Sequence, residues 1–349
     1  MSYTNGLDKP SDYFETKLYT GNGGTQSITG LDFQPDWVWL KQRNTTRSHW
    51  LFDSVRGATK RLHSEATSAE ATDTSTLTSF NSNGFSLGSS TGINQSSGTY
   101  ASWNWKAGTS FTNDASATGI GSIDSTGSVN TDAGFSIISY TGTGSAATVA
   151  HGLGVAPAMI IIKNRSTTNG WEVYHQSIGN TKYLALNVTD AALASASRWN
   201  NTSPTSTVFT VNTENGVNKS GSNLIAYCFA EKQGYSKFGS YTGNGNADGA
   251  FVYTGFKPAY VMIKLTSGAG EDWKIYDDKR LGYNAANKSL AANTNVADSN
   301  SNISIDILSS GFKNRNTSGA LNSSGATYIF MAFASNPFVT STGVPATAR

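Results

Sequence analysis

Apolar positions along the chain fall in short runs separated by Gly, Ser, Thr and Asn, and the three-to-four-residue spacing of an amphipathic helix is scarce. Three runs are dense enough to be strands covered on both faces. They are Trp37, Val38, Trp39 and Leu40 before Lys41; Met159, Ile160, Ile161 and Ile162 before Lys163; and Tyr260, Val261, Met262 and Ile263 before Lys264. A proline stands six residues ahead of each lysine, at Pro35, Pro157 and Pro258, where the mouth of a strand tolerates a missing N–H.

These runs belong to a larger repeat. Tyr19-Thr20-Gly21-Asn22-Gly23 returns as Tyr140-Thr141-Gly142-Thr143-Gly144 and as Tyr241-Thr242-Gly243-Asn244-Gly245, each time ending a strand in a turn where glycine can take positive φ. In the first copy the strand Phe14 to Tyr19 is edge-like. Eight or nine residues after the lysine comes a tryptophan, Trp50, Trp171 or Trp273, which reads as one recurring position on the next antiparallel strand.

A variable part follows, over 56–79, 177–207 and 279–304, with a short strand near Tyr183 to Asn187 and a helical turn near 191–197 expected in the second copy. Each copy then closes with a short strand (Phe85, Val208 to Val211, Phe312), a turn ending at Gly98, Gly221 or Gly325, and an apolar central strand. That last strand runs from Tyr100 to Trp105, Leu224 to Ala230, or Tyr328 to Ala334.

The predicted fold is all-β, three tandem β-sandwich repeats of jelly-roll or lectin-like type. The expected divisions are 1–106, 134–233 and 234–339 for the repeats, 107–133 for a linker or extended arm, and 340–349 for a C-terminal tail. The Gly/Ser/Thr/Asp-rich 107–133 reads either as a hinge or as a packed arm. Residues 231–234 leave no slack, so the second and third repeats should form a rigid pair.

Composition narrows the function. Only 14% of residues are charged, against about 25% in ordinary soluble proteins, and the net charge is +2 with no basic run. A phosphate-tracking groove is not expected, and nucleic acid is excluded as a partner. The opening residues, Met1 to Gly6, carry no basic-then-apolar leader, and no apolar stretch approaches the roughly twenty residues of a membrane span. The protein is expected to be made in the cytoplasm and to stay soluble, without membrane insertion. The single Cys228, in an apolar run, reads as a buried small hydrophobe.

No catalytic, cofactor or metal residues are assigned, and the ligand-binding residues are left open. His49, His63, His151 and His175 lack metal-ligand spacing, and the glycine turns lead to strands rather than to the helix a phosphate loop requires. Asp53, Asp277 and Asp278 follow the tryptophan strand, but the second copy has His175 there, so no acid pair for glycoside hydrolysis recurs. Calcium held by loop oxygens stays open. Trp50, Trp171 and Trp273 are expected in the core. Trp37, Trp39, Trp103 and Trp105, particular to the first copy, are left between packing, a partner and a sugar-stacking face.

The turn phrase, the segment Gly152 to Pro157 leading to Ile161-Ile162-Lys163-Asn164-Arg165, Trp103-Asn104-Trp105-Lys106-Ala107-Gly108 and Ala230-Glu231-Lys232-Gln233-Gly234-Tyr235 resemble the repeated domains of tailed-bacteriophage structural proteins, marine ones especially. The resemblance runs from about Phe14 to Phe338. The first copy departs from it, with Trp105-Lys106 where the others have Phe-Ala. It implies a virion component without enzymatic activity: first a tail-associated fibre or receptor-binding protein presenting its variable loops to host surface polysaccharide, next a capsid decoration protein, and remotely a tailspike glycan depolymerase. Other virion proteins are the expected partners. A homo-oligomer such as a trimer is expected, with the alternative that one chain of three repeats imitates a trimer about a threefold axis.

Overall fold

A computed structural model describes residues 6–281 and 283–345, with the backbone alone over 299–303. Residues 1–5, part of the opening read above for a leader, and the end of the 340–349 tail lie outside the described residues. The chain is all-β, its sheets antiparallel.

Three four-strand arrays share one order. Phe14–Thr20, Thr99–Trp105, Trp37–Gln42 and His49–Asp53 lie side by side; so do Phe135–Thr141, Asn223–Phe229, Met159–Asn164 and Trp171–His175; so do Ser236–Thr242, Thr327–Pro337, Phe256–Leu265 and Lys274–Asp277. The closing strand of each copy is therefore central, as its unbroken apolar run predicts. Phe14–Thr20 is an edge, but its counterpart Phe135–Thr141 is flanked on its outer side by Ser125–Asn130. Pro258 lies inside its strand rather than at its mouth, at a register shift of the kind that accommodates proline.

Alternation along these strands divides the core. Val38, Leu40 and Phe52 face an outer cluster with Ile28, Leu77 and Phe85, and the second and third arrays have outer clusters of their own. The opposite faces of all three arrays meet in a single cluster, where Trp37, Trp39, Trp103 and Trp105 pack with Ile161, Tyr227, Phe229, Tyr260, Met262 and Phe333. Trp105 and Phe333 lie 5.6 Å apart between centroids, Phe229 and Phe333 5.9 Å, and Trp37 stacks on Tyr227 at 4.4 Å. The surplus aromatic area of the first copy is thus spent on packing at the three-way junction.

Residues 107–133 form an arm. Thr109–Asn113 and Ser125–Asn130 extend the second array, and Ile123 bridges to Val149 on the outer sheet. The helical turn expected near 191–197 occurs at Ala196–Trp199, after Ser195 accepts from the Ser197 N–H as its cap; Leu193–Ala194 are instead extended.

Candidate functional site

The recurring turn is a lock between the two ends of each copy. Tyr19 donates to the Ile93 carbonyl at 2.7 Å, Tyr140 to that of Val217 at 2.6 Å and Tyr241 to that of Leu321 at 2.7 Å. Next to these acceptors stand buried Asn94, Asn218 and Asn322, whose Oδ1 accepts the N–H of Asn22, Thr143 or Asn244 at 2.8–3.0 Å. A Cβ on Gly21 would lie 2.2 Å from the Gln95 carbonyl oxygen, and Gly23 holds φ +78°, so both glycines answer to backbone geometry. The buried asparagines were missed in the sequence, although an aliphatic residue followed by Asn recurs at Ile93, Val217 and Leu321.

Strand register corrects the alignment of the tryptophans. Lys41 pairs with His49, and Lys163 pairs with Trp171. In the third array Ile263 pairs with Lys274, which sets Trp273 opposite Lys264. His49 is therefore the counterpart of Trp171 and Trp273. Trp50 is one residue further on and faces the outer cluster, because a one-residue step in a strand reverses the face.

Ring N–H groups at this shared position all cross to a neighbouring copy. His49 Nε2 bonds the Ala291 carbonyl at 3.0 Å, Trp171 Nε1 that of His63 at 2.9 Å, and Trp273 Nε1 that of Ala185 at 3.0 Å. The three repeated lysines do the same. Lys41 reaches the Asn295 carbonyl at 3.3 Å, Lys163 that of Thr67 at 2.8 Å and Lys264 that of Thr189 at 2.8 Å. Burial lowers all three ammonium groups to about 8. Backbone bonds complete the contact: Asp298 N–H to Arg43, Glu70 N–H to Arg165 and Ala192 N–H to Thr266. Part of each variable segment is consequently an interface arm, clasping the hairpin of the next copy.

The aspartates close the ring from the other side. Asp53 is fully buried, ion-paired with Arg56, and accepts from Tyr227 at 2.7 Å. Asp277 accepts from Arg280 Nε at 2.6 Å and from Trp103 Nε1 at 3.0 Å. His175, at the equivalent register, donates through Nε2 to the Phe330 carbonyl at 3.2 Å. First touches second, second touches third, and third touches first.

Each histidine uses both ring nitrogens. His49 Nδ1 accepts from Trp39 Nε1 at 2.7 Å; His63 Nδ1 lies 2.6 Å from the His49 carbonyl and Nε2 2.8 Å from Arg61. His151 bonds the Thr205 carbonyl and the Leu153 N–H, and His175 Nδ1 accepts from the Ser177 N–H. Burial pulls all four below the ordinary histidine value, His151 and His175 to about 4. Among the described residues no group of three or more His, Cys, Asp or Glu is placed to hold a metal ion. In the Asp- and Asn-rich loop 244–248, the Asp248 carboxylate is engaged by Lys313 and Arg315.

Two cavities are lined differently. One of about 590 Å³ lies between the second and third copies, against Gln176, Glu231, Lys237 and Tyr253. Another of about 270 Å³ lies within the third, lined by Lys257, Asp278, Tyr283 and Asn284. Of the two adjacent aspartates, Asp277 and Asp278, only Asp277 is ion-paired among the described residues. One Asp278 carboxyl oxygen is buried without a hydrogen-bond partner.

A single family model matches residues 9–337, across all three copies and both connectors. The chain belongs to the family described as Domain of unknown function (DUF7483). No curated protein matches it. That one DUF7483 model spans the whole ring accords with the contacts: neither a single copy nor a pair contains the complete junction. No described helix is long and apolar enough to cross a membrane.

Proposed function

We propose that the chain is a bacteriophage virion structural protein, three copies of one jelly-roll-like β-sandwich closed into a ring, acting as a tail-associated receptor-binding protein for host surface glycan. The observation that carries this reading is the cyclic junction of the three arrays about one aromatic cluster. It gives a single chain the threefold form that a particle component would otherwise reach by trimerising, so the working species is a monomer or an assembly of such pseudo-trimers. The resemblance of the repeated phrases to phage structural proteins supports the same reading.

The structure alters where recognition is sought. Thr67, Glu70, Thr189, Ala192, Asn295 and Asp298 belong to variable segments but are engaged by neighbouring copies. Recognition falls to what remains at the surface of each copy. A hydrolytic role is disfavoured, since Asp53 and Asp277 are held in buried ion pairs.

The test is electron microscopy of particles carrying a C-terminal label, with adsorption of the purified protein to host cells. Label at the tail and saturable adsorption support the proposal. Label spread over the head instead supports a capsid decoration protein, a second reading favoured by the pseudo-threefold ring, which matches a threefold capsid site.

A further inference from the structure

Register places Ser54, Gln176 and Asp278 at one position, each directly after the residue that closes the ring. In the first copy Ser54 donates to Asp36 at 2.8 Å, and Asp36 also accepts the Ala107 N–H at 2.8 Å. In the second, Gln176 donates to the Phe238 carbonyl at 2.6 Å. In the third the carboxyl has moved to Asp278, and the residue facing it across the strands, in place of Asp36, is Ala259, which offers no side-chain donor. The side chain at this position is thus bonded to another residue of the chain in the first two copies, whereas in the third one carboxyl oxygen of Asp278 is buried without a partner among the described residues.

A cavity of about 270 Å³ adjoins that third position. Tyr283, 73% exposed, forms one wall, and Lys257 adds a cation. Asn284 also lines it, but its amide is committed to both backbone groups of Ile307. We propose that Lys257, Asp278 and Tyr283 form a subsite for a neutral sugar ring, with Asp278 hydrogen-bonding its hydroxyls, Lys257 donating to another oxygen and the Tyr283 ring covering its C–H face. This rests on the glycan-recognition reading above and names the site and the ligand class.

The donor set selects the ligand. A divalent cation needs several anionic oxygens, but Asp277 is taken by Arg280 and Trp103, and Lys257 repels a cation. An anion meets the Asp278 carboxyl. A polyhydroxylated neutral ring suits both groups, and an aromatic face suits its apolar side. Burial raises Asp278 to about 6, so near neutrality it accepts hydroxyl protons, and below that it donates as well.

The experiment is saturation-transfer NMR of the full chain with glucose, galactose, mannose and N-acetylglucosamine at millimolar concentration, repeated on Asp278→Ala and Tyr283→Ala. Among the described residues Asp278 Oδ1 has no hydrogen-bond partner and Tyr283 is largely exposed, and thermal midpoints equal to wild type verify folding. Binding of at least one sugar that falls about tenfold or more in both variants supports the subsite. A sugar bound equally by wild type and variants overturns it while leaving glycan recognition standing elsewhere on the chain. If wild type binds none of the four, the subsite is overturned, and adsorption to host cells separately decides the functional reading.

Discussion

Tyr227 donates its phenolic proton to Asp53 at 2.7 Å, joining residues 174 apart in sequence and two copies of the repeat. Trp103 and Asp277 make the equivalent contact across the next boundary at 3.0 Å. The charge on each aspartate is balanced by an arginine three residues on, Arg56 or Arg280, so each of these two boundaries holds a buried ion pair plus a neutral donor. Tyr227→Phe should cost about 1.5–3 kcal/mol, the scale of a hydrogen bond to a charged group. Asp53→Asn should cost about 3–5 kcal/mol, because it removes one charge of a buried pair and leaves Arg56 with Glu70 as its remaining carboxylate partner. Urea unfolding of both single variants and the double variant measures the coupling, and additive losses would contradict a shared contact.

The third boundary replaces every member of this set. His175 stands for aspartate, Ile178 for arginine and Met331 for the tyrosine or tryptophan donor. His175→Asp alone should therefore destabilise by about 3–5 kcal/mol, since it buries a carboxylate with neither a cation nor a side-chain donor. Adding Ile178→Arg and Met331→Tyr should recover a substantial part of that loss. Thermal unfolding of the single and triple variants checks it, and no recovery would mean that the three positions do not form one unit.

The strands were legible in the sequence because burial on both faces writes continuous apolar runs, such as Ile160, Ile161 and Ile162, and because turns demanded glycine at fixed places. The ring was not, since its partners lie far apart: Asp53 says nothing locally of Tyr227, nor Lys163 of Thr67. Matching by residue identity put Trp50 with Trp171, whereas the physical constraint at that position is a ring N–H aimed at a neighbour's carbonyl, which His49 also supplies. Asp278 looked like its neighbour Asp277 because the loss of a partner is invisible until register sets Ala259 across from it.

Lys163→Met should weaken the clasp between the first and second copies. The ammonium bonds the carbonyls of Thr67 and Asn169; Thr67 keeps the Asn169 N–H, so the loss falls mainly on the Asn169 carbonyl, at about 1–3 kcal/mol for a carbonyl left without its donor. Hydrogen exchange is the discriminating measurement. The amides of Glu70 and Asn169, which cross this boundary, should lose protection ahead of those in the third copy.

Acid should destabilise the fold through its histidines. His151 and His175 are held near 4, against an ordinary 6.5, so the unfolded chain binds the extra proton first. Their contribution is complete above about pH 6.5 and is lost as pH falls towards 4, by up to about 3 kcal/mol each at about 1.4 kcal/mol per pH unit. His175→Gln should be less stable than wild type at pH 7.5, with the gap narrowing between pH 6.5 and 4. A gap independent of pH would show that His175 does not titrate with folding.

Cys228 reports whether the ring opens as one body. Its thiol is fully buried in the outer cluster of the second copy, and burial pushes its pKa up, so it should be inert to a thiol reagent in the native state. Trp37, Trp39, Trp103 and Trp105 report instead on the three-way junction. With that junction drawn from all three copies, no copy can unfold without exposing apolar surface on the other two, and the thiol and tryptophan signals should change at one urea concentration. Limited proteolysis should accordingly spare both connectors, 107–133 because it is paired into the second array and 231–234 because Lys232 bridges to Ser236. Thiol labelling ahead of the fluorescence change would mean that the second copy opens by itself, and the closed ring would then not be the cooperative unit.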